Sequence, residues 1–214
     1  MSLVDMLSES PDRQMGKTRK VSGVAVGIVT DNKDPDGLGR VKVRFPWLAD
    51  DSESTWSKVA TFMAGGDRGA FFLPEPDDEV LVAFEQGDLD HPFVIGGLWS
   101  SEDRPPTDNA DGKNNTRMIR SRSGHEIVFE DDSDSRREKL VLKTNAGHVL
   151  ELDDSSGAEK IVLKDKTGRN KIEFDSNQNS IAVEAAVKVS IKAVQIEIEA
   201  TGILTLKGSM VKIN

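Results

Sequence analysis

Between Ile181 and Asn214 one short phrase recurs: apolar, any residue, apolar, charged, small. It reads Ile181-x-Val183-Glu184-Ala185, Val189-x-Ile191-Lys192-Ala193, Ile196-x-Ile198-Glu199-Ala200, Leu204-x-Leu206-Lys207-Gly208 and finally Val211-x-Ile213-Asn214. The starts fall about 7 to 8 residues apart, which is a repeat period. Inside each unit the apolar residues stand at i and i+2, the spacing of a strand with one buried face. A heptad coiled coil shares the period but needs three-and-four spacing, and it does not call for Val and Ile at every second position.

A strand of about three to five residues cannot bury its apolar face alone, so successive turns must stack. A single chain with turns this short encloses almost no interior. The economical arrangement is several chains wound round one axis, each giving one strand to every layer. The expectation is therefore an obligate trimer, an intertwined β-helix with Ile181, Val183, Val189, Ile191, Ile196, Ile198, Leu204, Leu206, Val211 and Ile213 as its core. At ~4.8 Å per layer, eight or nine such segments make a rigid shaft on the order of 40 Å long.

Upstream the same texture is longer. Ser123 to Asp131, Ala146 to Asp153 and Thr167 to Asp175 are copies spaced about 21 to 23 residues apart, with Lys139 to Lys143 and Lys160 to Lys164 between them. Each reads as strand, polar turn, strand, so residues 118–180 are expected to form a wider upper shaft and residues 181–214 the needle. Shifting such a strand by one residue would turn its whole apolar set outward.

Residues 21–100 have a different pattern. Val24, Val26 and Ile28 alternate, Asp34-Pro35-Asp36-Gly37 makes a turn, and Val41, Val43 and Phe45 alternate again. Trp56 to Phe62, the Val80, Val82, Phe84 set, and Phe93 to Leu98 complete five short strands without an amphipathic helix between them. The expected fold is all-β: a small Greek-key barrel of the OB type, followed after a Pro-, Asp- and Asn-rich linker at 101–117 by the β-repeats. Residues 1–20 are polar apart from Leu3, Val4, Met6 and Leu7, and read as a tail or a docking arm.

Several residues of the barrel stretch carry a resemblance. Gly27-Ile28-Val29, Asp34-Pro35, Gly39-Arg40-Val41-x-Val43-x-Phe45-Pro46-Trp47, Gly69, the run from Pro74-x-Pro76-x-Asp78-Glu79-Val80 through Gly87-Asp88, and Pro92-x-Val94-Ile95-Gly96 stand in consistent order over about 80 residues. This resembles the baseplate assembly protein V family of contractile phage tails, whose barrel also occurs in valine-glycine repeat (VgrG) spikes and in spikes of extracellular contractile particles. The resemblance implies a homotrimeric spike that joins a baseplate hub and inner tube, and that is driven through a target envelope when the sheath contracts. It also implies a conical tip protein of the PAAR type on the blunt end, for which Met210, Val211, Lys212, Ile213 and Asn214 are the expected platform. Assembly in the cytoplasm within a phage tail-like particle is the matching expectation, since no signal peptide or membrane-spanning stretch is evident.

Composition narrows the remaining classes. The 214 residues carry a net charge of -9, which disfavours phosphate-backbone binding. The absence of cysteine removes disulfides, thiolate metal sites and thiol catalysis. An OB module binding an oligonucleotide or carbohydrate, with a fibrous trimerisation tail, is the competing reading; it would have to stack its ligand on Trp47, Trp56 or Trp99. No catalytic, cofactor or metal residue is expected. His125 and His148 stand at equivalent repeat positions but Arg169 follows in the third copy, and His91 has no partner by sequence. The Asn32, Asp34, Asp36 series imitates half a calcium loop but reaches Val43 where a bidentate Glu belongs. The stretch Gly65-Gly66-Asp67-Arg68-Gly69 lacks the Lys-Ser/Thr of a phosphate loop and reads as a flexible loop, with a contact to a neighbouring subunit as a further role for it. The carboxylates are spread through strand faces and turns, so no enzyme activity is expected.

Overall fold

The computed structural model describes residues 20–48 and 53–212, and these divide into two compact units, before and after Pro105. Both are built from strands, and among the described residues no helix is long and apolar enough to cross a membrane. The expected docking arm lies almost wholly outside the described residues, as do Ile213 and Asn214.

The first unit contains β1 (Val24–Asp31), β2 (Lys42–Arg44), β3 (Lys58–Val59), a small hairpin of β4 (Ala64–Gly65) and β5 (Arg68–Gly69), β6 (Glu79–Phe84) and β7 (Pro92–Gly97). The sheet order is β2-β1-β6-β7-β3, with β3 and β7 parallel and the other pairs antiparallel. Reciprocal bonds from Val41 N–H to the Ser57 carbonyl (3.0 Å) and back (2.8 Å) join the two ends and close the ring. That is the five-stranded barrel anticipated from the spacing of Gly and Pro.

Its core is small and rich in valine: Val29, Val41, Val43, Phe45, Val80, Val82, Phe84 and Val94, with the Phe45 and Phe84 rings 5.4 Å apart. Strand β1 turns the smaller of its two alternating sets inward. Val24 and Val26 remain 53% and 43% exposed, while Gly27 and Val29 are buried. The reason is space: a Cβ on Gly27 would stand 2.2 Å from Val43 Cγ1, so the barrel is too narrow there for any side chain.

Two details differ from the sequence reading. The strand expected over Trp56 to Phe62 is regular only at β3, after which Ala60 N–H still donates to the Val94 carbonyl (2.7 Å) and the chain leaves the sheet. It then enters the β4–β5 hairpin, where a flexible loop was expected. Ala70 N–H donates to the Met63 carbonyl (3.0 Å), Thr61 Oγ1 donates to the Ala70 carbonyl (2.8 Å), and Asp67 takes a positive φ of 53° at the turn.

The second unit is one antiparallel meander of seven strands: β8 (Thr116–Arg120), β9 (Glu126–Asp132), β10 (Arg137–Lys143), β11 (Val149–Asp153), β12 (Lys160–Lys164), β13 (Lys171–Asp175) and β14 (Ser180–Glu184). Each strand pairs only with its sequence neighbours. Strand β14 contains Ile181 and Val183, so the first short unit is the last strand of this sheet. Beyond it, residues 185–212 contain no strand within the single chain.

The turns along one edge repeat a single device. Ser121 Oγ accepts the N–H of His125 (3.0 Å), Thr144 Oγ1 accepts that of His148 (3.0 Å), and the carboxylate of Asp165 takes this role in the third turn. Gly124, Gly147 and Gly168 supply the positive φ that each turn requires. The third turn is one residue longer, so Asn170, and not Arg169, closes it opposite Asp165: Asp165 N–H donates to the Asn170 carbonyl (3.1 Å) as Ser121 does to His125 and Thr144 to His148.

Candidate assembly surfaces

Residues paired across an antiparallel ladder point to the same side of the sheet. In the seven-stranded sheet, one row therefore runs Phe129, Leu140, Leu152, Ile161, Phe174, Ile181. A second runs Ile119, Ile127, Leu142, Leu150, Leu163, Ile172, Val183. Both rows lie on one face and among the described residues nothing covers them fully: Leu163 is 52% exposed, Phe174 43% and Ile181 67%. An apolar face of this size is far beyond the scattered patches of a monomer.

The opposite face carries charged rows on either side of a mixed row of Met118, Val128, Val141, Glu151, Val162, Glu173 and Ala182, in which Val162 is only 6% exposed. Lys139 Nζ bridges Asp153 (2.7 Å) and Glu151 (3.6 Å), Lys171 Nζ bridges Glu173 (3.4 Å) and Glu184 (3.3 Å), and Arg120 Nε reaches Glu126 at 3.6 Å. Ion pairs dominate this face, so the two sides of the sheet differ in chemistry.

Asp153, 3% exposed, anchors that charged face. Burial alone would raise its carboxyl, but the Lys139 ammonium and the Ser155 N–H outweigh it and hold it at about 2. A depressed carboxylate contributes stability that is complete above its unfolded value near 4 and is lost as pH falls through the folded value. Acid titration of the second unit from pH 4 to pH 2 is thus expected to cost about 2 kcal/mol through this group, a loss that Asp153→Asn should largely remove from the pH profile. An unchanged profile in that variant would show that Asp153 does not carry the acid sensitivity.

The strandless repeats carry the other uncovered residues. Val189, Ile191, Ile196, Ile198, Leu204, Leu206 and Val211 are all between 51% and 68% exposed, and Met210 is 73% exposed. In one chain these strand-patterned residues have neither ladder partners nor a core.

The barrel's motif residues build the fold. Asp34 accepts the N–H groups of Asp36 (3.1 Å), Leu38 (3.0 Å) and Arg40 (3.2 Å), and the Arg40 guanidinium bridges it at 2.7 Å. Arg40, more than the backbone donors, keeps the Asp34 carboxyl well below the usual carboxylate range. Arg40 also bridges Asp36 at 2.6 Å, so the half calcium loop is filled by a guanidinium. In the Pro74 to Asp88 run, Asp77 N–H donates to the Val29 carbonyl (2.9 Å) and Asn32 Nδ2 to the Pro74 carbonyl (3.0 Å), which seats the turn beside β1 before the central strand β6 begins.

The histidines fill local roles. His91 Nδ1 lies 3.1 Å from Asp88, and His125 Nδ1 accepts the N–H of Asn145 at 3.4 Å in the next turn. Among the described residues no group of three or more acidic or histidine side chains is placed to hold a metal. The tryptophans are separately engaged: Trp47 packs on Phe45 at 6.0 Å, Lys42 lies 5.5 Å over Trp56, and Trp99 stands 72% exposed.

The barrel order and the motif run have counterparts among known proteins. Residues 25–99 match the type VI secretion system/phage-baseplate injector OB domain. About half of the chain is similar to VgrG spike proteins. It is 35% identical over 127 residues to the type VI secretion system spike protein VgrG5 of Pseudomonas aeruginosa, covering 50% of this chain and 16% of that protein. It is 33% identical over 116 residues to the spike protein VgrG3 of Vibrio cholerae, covering 50% and 11%. To VgrG2a of Pseudomonas aeruginosa it is 39% identical over 85 residues, covering 38% and 10%. The chain thus spans about a sixth or less of the length of these spike proteins. The injector OB domain accounts for the first unit, and the resemblance stated from the motif residues agrees with it.

Proposed function

We propose that this chain is the protomer of a trimeric central spike in a contractile injection machine, with the injector OB domain joined to hub and tube and the β-repeats forming a puncturing shaft. The observation that carries the reading is the continuous apolar face of the seven-stranded sheet, followed by strand-patterned repeats that find no ladder partner among the described residues. Three copies resolve both at once. Three sheets turned face to face bury rows one and two, and below them the short units of three chains can hydrogen bond to one another as an intertwined needle. Burying the remaining half of each Leu, Ile or Phe in these rows contributes on the order of 1 kcal/mol, summed over every layer.

The mechanism is mechanical. Continuous strand pairing and a packed axis resist bending, and the charged outer face keeps the shaft in water until it is driven forward. Spike relatives in type VI secretion support this role. The proposal extends to a PAAR-type tip protein seated on Met210, Val211, Lys212, Ile213 and Asn214, and no catalytic step is part of it.

The test is the absolute mass in solution. Light scattering on the purified protein is expected to give three times the chain mass, unchanged on dilution and in mild urea. A stable monomer would show that the repeats satisfy themselves within one chain, and the spike reading would fail.

A further inference from the structure

The barrel unit holds an apolar surface that its own core does not use. At the mouth of the β4–β5 hairpin, Phe62 is 86% exposed, Phe71 79%, Phe72 66% and Met63 49%. Phe71 reaches the Asp34 turn, since its Cε2 would stand 3.5 Å from a Cβ on Gly39, and Leu38, the residue before Gly39, is 69% exposed. Exposed aromatic groups in one place are costly to leave in water.

Both supports of this surface are rigid. Asp34 and Arg40 lock the turn that presents Leu38. The hairpin is held by the Met63–Ala70 and Thr61–Ala70 bonds, and Gly69 sits where a Cβ would meet the Met63 carbonyl at 2.6 Å. Little ordering entropy remains to be lost on docking.

We infer that this hairpin surface is a contact between copies, in which the Phe62, Phe71, Phe72 and Leu38 cluster of one barrel packs against the same cluster of its neighbours in the trimer. Two arguments select a second copy as the occupant. At ~150–250 Å² per aromatic side chain the cluster offers on the order of 600 Å², close to the ~800 Å² per partner that a stable interface needs. The charge at the hairpin tip is also self-complementary: Asp67 and Arg68 are adjacent, opposite in sign, and among the described residues neither has an ion-pair partner. Identical copies meeting here can pair Asp67 of one with Arg68 of the next, whereas a partner of one sign would leave one of them opposed.

The inference rests on the trimeric spike reading, and the experiment separates the two. The chain contains no cysteine, so introduced thiols report alone. Full-length Phe62→Cys, Phe71→Cys and the double variant are purified, their mass is measured under reducing conditions, and each is then oxidised and also treated with a maleimide. Asp90→Cys, exposed outside the hairpin, is the control. The expected result is a trimer whose single hairpin variants form disulfide-linked dimers, whose double variant forms linked trimers, and whose hairpin thiols lose maleimide labelling relative to Asp90→Cys. A trimer with unlinked hairpin thiols, labelled as fast as the control, would overturn this inference alone and leave the surface to a different protein. A monomeric wild-type chain would overturn the spike reading and this contact together. Both positions are largely exposed, so either single variant can stand in for the other should one fold poorly.

Discussion

Leu163→Asp is expected to convert the proposed trimer to a monomer while leaving the monomer's sheet intact. Leu163 lies in β12 near the middle of the second apolar row, between Leu150 of β11 and Ile172 of β13. In a single chain its side chain is half exposed, so an aspartate there keeps its water and the ladder bonds of β12 are untouched. In a three-sheet prism, however, three carboxylates would meet in a dry core, at a cost of several kcal/mol each when unpaired. That exceeds what neighbouring rows can offset, so association should be lost rather than weakened.

The companion variant sets the specificity of this result. Lys164, one residue on, faces the charged side, and Lys164→Asp changes charge further but leaves the apolar rows whole. It should keep the mass of three copies. Circular dichroism should show strand content retained in both variants, and light scattering should separate them. Persistence of the trimer in Leu163→Asp would mean that the apolar face meets something other than its own copies.

The contrast between these adjacent residues explains what could be read from the chain beforehand. In β9 to β14 one alternating set is Ile, Leu and Phe and the other is largely Lys, Glu and Asp. The faces differ sharply in chemistry, and the sequence states both strand and side. In β1 both alternating sets are apolar or small, Val24, Val26, Ile28 against Ala25, Gly27, Val29, and only the width of the closed barrel decides which turns in. That is a long-range constraint set by Val43 and Val82, and alternation alone does not contain it. The hairpin at Phe62 to Phe71 was hidden for a similar reason: its Gly65-Gly66-Asp67 run has the composition of a loose loop, and the bonds that fix it join Thr61 and Met63 to Ala70. In the third edge turn, one added residue moved the closing position from Arg169 to Asn170, which only the backbone bonding reveals. The family motif was legible because it is mostly turn-forming residues at fixed offsets. The proposed needle, in contrast, would be a property of several chains, and among the described residues of one chain its strand-patterned repeats form no strand.

Gly27→Ala is the second large expected effect, and it acts on the barrel. The added Cβ would fall 2.2 Å from Val43 Cγ1 and 3.4 Å from both Phe45 Cε1 and Val82 Cγ2. Val43 and Val82 are fully buried, and Val43 is held by ladder bonds to β1, so neither can retreat far. Overpacking of this kind costs about 3 kcal/mol, a large part of the stability of so small a core. All three tryptophans, Trp47, Trp56 and Trp99, belong to the first unit, so fluorescence-detected unfolding reports the barrel selectively. The transition should move to markedly lower denaturant, while oligomer mass under native conditions, which the proposed spike assigns to the repeats, should remain that of three copies. Shortening the neighbour supplies the decisive control: Val43→Ala alone leaves a cavity and destabilises, but in combination with Gly27→Ala it should restore part of the loss, because the new methyl occupies the space vacated. Simple additivity of the two changes would mean that the clash with Val43 is not what excludes a side chain at position 27.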